Sequence, residues 1–162
     1  MSRHHIRIMP IMLLILCNLS AFAQAPPKAY GPPIGVENAK KIAAAALTEA
    51  KKNNWYMAVA VVDPSGTLVY YEKMDNTQTG SATVAIEKAR TAAMFKRPTK
   101  VFDDAVAGGG AGLRALRVPG VIPVEGGIPL IIDDKIVGAV GVSGDSSDHD
   151  GMCAKAAAEV LK

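Results

Sequence analysis

The chain has 162 residues, 18 basic and 15 acidic side chains, a formal charge of +3 at neutral pH and an apolar content of 49%. That length suits one domain with a core of ordinary size. The near balance of charge excludes a nucleic-acid binder or a partner of anionic membranes as the first reading, since such proteins carry a clustered basic face and the adjacent basic pairs here are only Lys40-Lys41, Lys51-Lys52 and Lys96-Arg97.

In chain order, Arg3 and Arg7 precede an apolar run over 8–19 that closes on Ala21-Phe22-Ala23. This order of basic, apolar and small residues reads as a secretory signal peptide over 1–23, cleaved after Ala23. A cut after Ala25 would set Pro26 behind the scissile bond. Pro10 and Asn18 interrupt the run, which is shorter than the ~20 residues of a membrane-spanning helix. Cys17 raises the question of lipidation, but Leu16 stands where a small residue is wanted. Export to the periplasm or the medium is the expectation, with no membrane partner after cleavage. Loss of the leader removes Arg3 and Arg7 and no acid, leaving a nearly neutral chain whose one cysteine, Cys153, has no partner for an intramolecular disulfide. Residues 24–33 hold four prolines and little to bury, and read as an extended arm open to disorder.

The folded domain is expected over 34–162. Val36, Ala39, Ile42, Ala43, Ala46, Leu47 and Ala50 recur at helical spacing, with Asn53-Asn54 as a stop. Residues 57–62 form a valine-rich run too short for a helix, and Asp63-Pro64-Ser65-Gly66 turns it into a second strand over 67–72. Ser81 is read as the cap of a helix whose stripe is Ala82, Ala85, Ile86, Ala89, Ala92 and Ala93, a stripe with so little bulk that the helix must lie very close to a sheet or to another subunit. Thr99 is read as the cap of a short helix ended by Gly108-Gly109-Gly110, with a further turn or helix at 113–116. Two apolar strands, 128–132 and 136–142, flank Asp133-Asp134-Lys135, and a loop over 143–147 leads to an alanine-rich last helix. With hairpins and no β-α-β alternation, the expected class is α+β: an antiparallel sheet of about five strands flanked by helices, profilin-like or PAS-like.

Five segments then carry a resemblance: Val61-Val62-Asp63-Pro64-Ser65-Gly66, Lys88-Ala89-Arg90-Thr91-Ala92, Gly126-Gly127-Ile128-Pro129, the strand from Val137 to Gly144, and the helix after Asp148. Their order and spacing, from Ile34 to the end, resemble the GlcG/HbpS family. The resemblance implies association with heme, with large oligomers among some exported relatives and fusion of related heme- or corrinoid-binding domains to adenosyltransferases in others.

Heme turns attention to His149, the one histidine left after cleavage, because imidazole is a common axial ligand and the flanking Asp148 and Asp150 are placed to orient it. The same three residues also suit the exposed first turn of a helix. Met74, Met94, Tyr70 and Tyr71 are further conceivable iron ligands. Arg90, beside Thr91, is a candidate partner for a heme propionate, or else pairs with Glu87 one turn back. Glu125, Gly126 and Gly127 allow close approach of a ligand to backbone amides, or simply form a turn. No Gly-x-Ser-x-Gly elbow, Walker loop, His-Glu-x-x-His or pair of cysteines at metal spacing is present, and Cys153 has acidic neighbours that oppose a thiolate. The functional expectation is an exported heme-binding protein, a homo-oligomer that captures, buffers or senses heme. The alternatives are an enzyme or accessory subunit for a small organic acid, with Glu125 and His149 as proton-transfer pair, or a structural oligomer without a ligand.

Overall fold

The computed structural model describes residues 28–161. The segment expected to be a signal peptide, Cys17 and the first part of the arm lie outside the described residues.

The long apolar periodicity produces helix α1, Val36–Lys52, which buries Ala39, Ile42, Ala43, Ala46, Leu47 and Ala50 and ends where the Asn53 amide donates back to Ala50. Strand β1, Ala58–Val62, is buried at every position, as a run without polar alternation requires when both faces of a strand are covered. It turns into β2, Leu68–Lys73, through a loop in which the Asp63 carboxylate accepts from the amides of Ser65 and Thr67. Helix α2, Ser81–Phe95, and α3, Lys100–Ala107, follow, then a 3-10 segment, Gly110–Arg117. Strands β3, Gly127–Ile132, and β4, Lys135–Ser143, precede α4, Ser147–Ala158, and a last 3-10 turn, Glu159–Leu161.

The sheet is antiparallel throughout, in the order β2-β1-β4-β3, with the two most buried strands central. Helices cover both faces. On one side α1 and α4 enclose Met57, Val59, Val61, Val140 and Val142. On the other, Ala85, Ala89, Ala92 and Ala93 of α2 rest on Ala58, Ala60, Val62 and Ala139. The close approach expected of an alanine stripe is present: a methyl group on Gly141 of β4 would overlap the Ala85 carbonyl.

Three local expectations are corrected. The sheet has four strands among the described residues, not about five; beside β4, past the end of β1, the arm makes a single parallel bridge, Tyr30 with Ile136. Its backbone is held there by Gly31 N–H to Ile136 O at 2.8 Å and Ile34 N–H to Val137 O at 2.8 Å, which orders a stretch that has few side chains to bury. Ser81 does not cap α2: Gly80 precedes the helix, and the buried Ser81 hydroxyl faces that of Ser143 at 3.4 Å. Thr99 does not cap α3 with its side chain, because that oxygen is taken by the Gly127 amide.

Candidate functional site

The loop before β3 is fixed from three sides. The Glu125 amide donates to Asp103 Oδ2 at 2.9 Å, the Gly126 carbonyl accepts from Val142 N–H at 2.9 Å, and the Gly127 amide donates to Thr99 Oγ1 at 2.9 Å. Gly126 has φ +130°, and a Cβ there would lie 2.6 Å from the Val142 carbonyl and 2.9 Å from Lys88 Nζ, so glycine is needed for both angle and space. The Glu125 side chain is buried over Gly151 of α4, where a methyl group would strike its carboxylate, and Lys100 and Lys155 approach its two oxygens at 3.5 Å each. Beside it opens a cleft of about 410 Å³, walled by Pro98, Val101, Ile128, Gly126, Gly127 and Lys155 among others. Glu125, Gly126 and Gly127 thus meet at one cleft. None of the residues lining it is His, Cys, Met or Tyr, so the cleft brings no usual axial ligand of its own.

Beneath that loop lies a feature missed in the sequence. Lys88 of α2 and Asp150 of α4 form an ion pair at 2.6 Å with side chains only 1% and 3% exposed. Burial pushes the Asp150 carboxyl above its ordinary value, and the Lys88 ammonium opposes that shift. One signal was available: Lys88 falls three residues after Ala85 and four before Ala92, inside the apolar stripe, where a lysine is not expected without a partner.

His149 belongs to a different face. Its Nδ1 lies 3.0 Å from Asp145 Oδ1, and its ring stacks on Trp55 with centroids 3.9 Å apart and planes at 13°. The Asp145 carboxyl is held below its usual range by the Ser146 amide and then by His149. The expectation that Asp148 and Asp150 orient the ring is corrected, since Asp145 holds it and Asp150 faces inward to Lys88. Ser146 caps α4 by accepting from the His149 amide. Gly151, two residues on and so about 200° round the helix, faces Glu125. Glu125 and His149 therefore occupy opposite sides of α4 and do not form a proton-transfer pair within one chain.

The remaining candidates are dispersed. Arg90 donates to Glu87 Oε1 at 2.6 Å and to the Gly66 carbonyl at 3.1 Å. Its neighbour Thr91 is buried, donating to the Gly120 carbonyl and accepting from the Ile122 amide, each at 3.0 Å. Met74 Sδ accepts from the Met57 amide, Met94 is half exposed beside Gly66, and the Tyr70 hydroxyl donates to Glu72. The Tyr71 hydroxyl is buried without a partner among the described residues. Also among them, no three His, Cys, Asp or Glu side chains are grouped to hold a metal ion. Cys153 is fully buried, and burial pushes its thiol up to about 12. It is therefore expected to resist iodoacetamide at pH 8 in the native protein and to react within minutes in denaturant; mass spectrometry after a timed quench reads the difference.

Comparison with known proteins places these features in context. The model of the family described as haem degrading protein HbpS-like matches residues 34–159. The chain is 42% identical to Protein GlcG of Escherichia coli K12 over 105 residues, 65% of this chain and 77% of that one. In structure it is similar to a Streptomyces reticuli HbpS double mutant, with a TM-score of 0.74, 31% identity and coverage of 86% and 99% of the two chains. It is also similar to a PduOC:heme complex, with a TM-score of 0.72, 26% identity and coverage of 80% and 96%.

Proposed function

Because the chain belongs to the HbpS-like family, we propose that it is an exported heme-binding protein that captures or buffers heme in the periplasm or the medium, with His149 on the iron. The family and its heme-bound structural relative support the ligand. The basic-apolar-small order of residues 1–23 supports export. The exposed apolar side chains of α3 and the 3-10 segment, Val101, Leu113 and Leu116, support self-association into a homo-oligomer.

The observation that carries the iron assignment is the fixed imidazole. With Nδ1 turned to Asp145 and the ring held flat on Trp55, Nε2 is the nitrogen left for an incoming metal. A carboxylate on the far nitrogen sets the tautomer and raises the basicity of the ligating one. The residues present therefore fit heme through one imidazole, and the bound group would supply the iron chemistry. The chain's part is to orient that ring, with Asp145 on Nδ1 and Trp55 stacked on its face.

Hemin titration of residues 24–162, followed by absorbance, tests the reading. A saturable Soret shift is expected, weakened at least ~10-fold or lost in His149→Ala. A shift unchanged in the variant would move the iron to another residue. Absence of any saturable shift would overturn heme binding itself.

A further inference from the structure

The cleft beside the Gly126 loop holds a polar group that the chain itself does not complete. The Glu125 side chain is only 8% exposed, and the two cations at its oxygens, Lys100 and Lys155, stand 3.5 Å away, longer than an ordinary N–H···O hydrogen bond. A buried carboxylate in that position calls for a further donor. Water can supply it, and a ligand that displaces the water must bring an O–H or N–H of its own. Of the two cations, Lys100 is engaged at 2.8 Å by Asp104, while Lys155 has no partner but Glu125 among the described residues and a side chain 63% exposed. Gly126, Gly127 and Gly151 line the cleft without side chains, and a Cβ on Gly151 would lie 2.2 Å from Glu125 Oε1. A small molecule can enter such a recess, whereas a flat protein face stops at the exposed lysines and does not reach the carboxylate.

The spacing of these groups specifies the chemistry of the ligand. Lys155 Nζ donates, Glu125 Oε1 accepts, and the two atoms are 3.5 Å apart. A molecule that engages both must carry an anionic acceptor and a neutral donor on neighbouring carbons. A carboxylate meets the ammonium in a charge-assisted pair, and a hydroxyl on the next carbon reaches Glu125. An ammonium in place of that hydroxyl would meet two like charges for the one opposite charge of Glu125. The cleft, at about 410 Å³, falls in the ~300–1,000 Å³ range of small-molecule sites. It leaves room beyond the two polar groups, where Pro98 and Ile128 present apolar surface. We propose that the Glu125 cleft binds an α-hydroxy carboxylate with an apolar side chain, its hydroxyl on Glu125, its carboxylate on Lys155 and its side chain against Pro98 and Ile128. The site needs no metal and lies across α4 from His149, so it does not rest on heme binding.

The probe is phenyllactate, titrated into residues 24–162 and followed by calorimetry. Saturable binding is expected. Phenylpropionate, which lacks only the hydroxyl, should bind at least ~10-fold more weakly, the worth of a hydrogen bond to a charged acceptor. Phenylalanine, with an ammonium in place of the hydroxyl, should bind no better than phenylpropionate. Lys155→Met should weaken phenyllactate binding at least ~10-fold with circular dichroism unchanged, since that side chain is mostly exposed. His149→Ala should leave the binding unchanged. Phenylpropionate or phenylalanine binding as tightly as phenyllactate, equal binding by Lys155→Met and wild type, loss in His149→Ala, or no saturable binding would each overturn the proposal. So would binding seen only at concentrations that also lower the mass of the assembly in sedimentation, because the cleft would then be a contact with a second copy. Failure of hemin to bind through His149 leaves every one of these outcomes readable, as no iron takes part.

Discussion

Replacing Lys88 with methionine is expected to destabilise the fold by about 3–5 kcal/mol at neutral pH, because it leaves the Asp150 carboxylate buried without its cation. The loss should depend on pH with a definite sign. Burial is the largest influence on Asp150 and pushes its carboxyl upward; in the wild type Lys88 acts against it. Without Lys88 the folded-state value rises further above the unfolded one. A carboxyl so shifted favours folding fully below its unfolded value, and that contribution is lost as pH rises toward the folded value. Urea denaturation of Lys88→Met and wild type should therefore differ most near pH 7.5 and less near pH 5. The double variant Lys88→Met/Asp150→Leu should recover much of the loss, since it removes both buried charges. A single-variant cost below about 1 kcal/mol, within the range of an exposed pair, would show that water reaches the pair.

The second large effect is at Gly141. A methyl group there meets the Ala85 carbonyl and the Ala89 amide, both backbone atoms of α2, and neither can move without shifting the helix. Gly141→Ala should cost about 3 kcal/mol, the upper end of ordinary overpacking, and lower Tm by on the order of 10 °C in a domain of this size. Calorimetry of the variant reads this directly. Adding the same methyl group at Gly35, where nothing lies within 4 Å, serves as the control and should cost no more than the roughly 1 kcal/mol of a weakened N-cap of α1. A small effect at Gly141 would mean that α2 has room to move off the sheet.

Those two positions show where a linear reading stops. The alanines of α2 announced a close approach, because a stripe without bulk buries well only when backbones nearly touch. What they could not announce was which strand lies beneath, and Gly141 is ordinary in its own sequence context. Lys88 was visible as a lysine out of place in an apolar stripe, but its partner is 62 positions away. Ser81 and Thr99 have the right chemistry for helix caps, and each hydroxyl is taken instead by a group that folding brings up, from Ser143 and Gly127. Propensity ranks local options, and a distant partner with better geometry overrides it.

The candidate site divides in the same way. Glu125, Gly126 and Gly127 are contiguous, so their meeting at one cleft needed only that the loop be ordered. His149 was visible as a lone imidazole among acids, yet the helix phase chose Asp145 over Asp148 and Asp150 as its partner and turned it away from Glu125. Arg90 and Thr91 are adjacent in the chain and face different surroundings, one toward Glu87 and Gly66, the other toward the loop at 120–122.

By itself the sequence determined the helical period of α1, the two hairpins, the α+β class and the family, because each rests on residue spacing within a few positions or on motifs in fixed order. Only the tertiary structure decided the strand count, the Lys88–Asp150 pair beneath the Gly126 loop, the separation of His149 from Glu125, and the exposure of Leu113 and Leu116 on the 3-10 segment. Those depend on which distant groups arrive within hydrogen-bonding or van der Waals reach, and on the rotation of each helix about its axis once its apolar face is committed to the core.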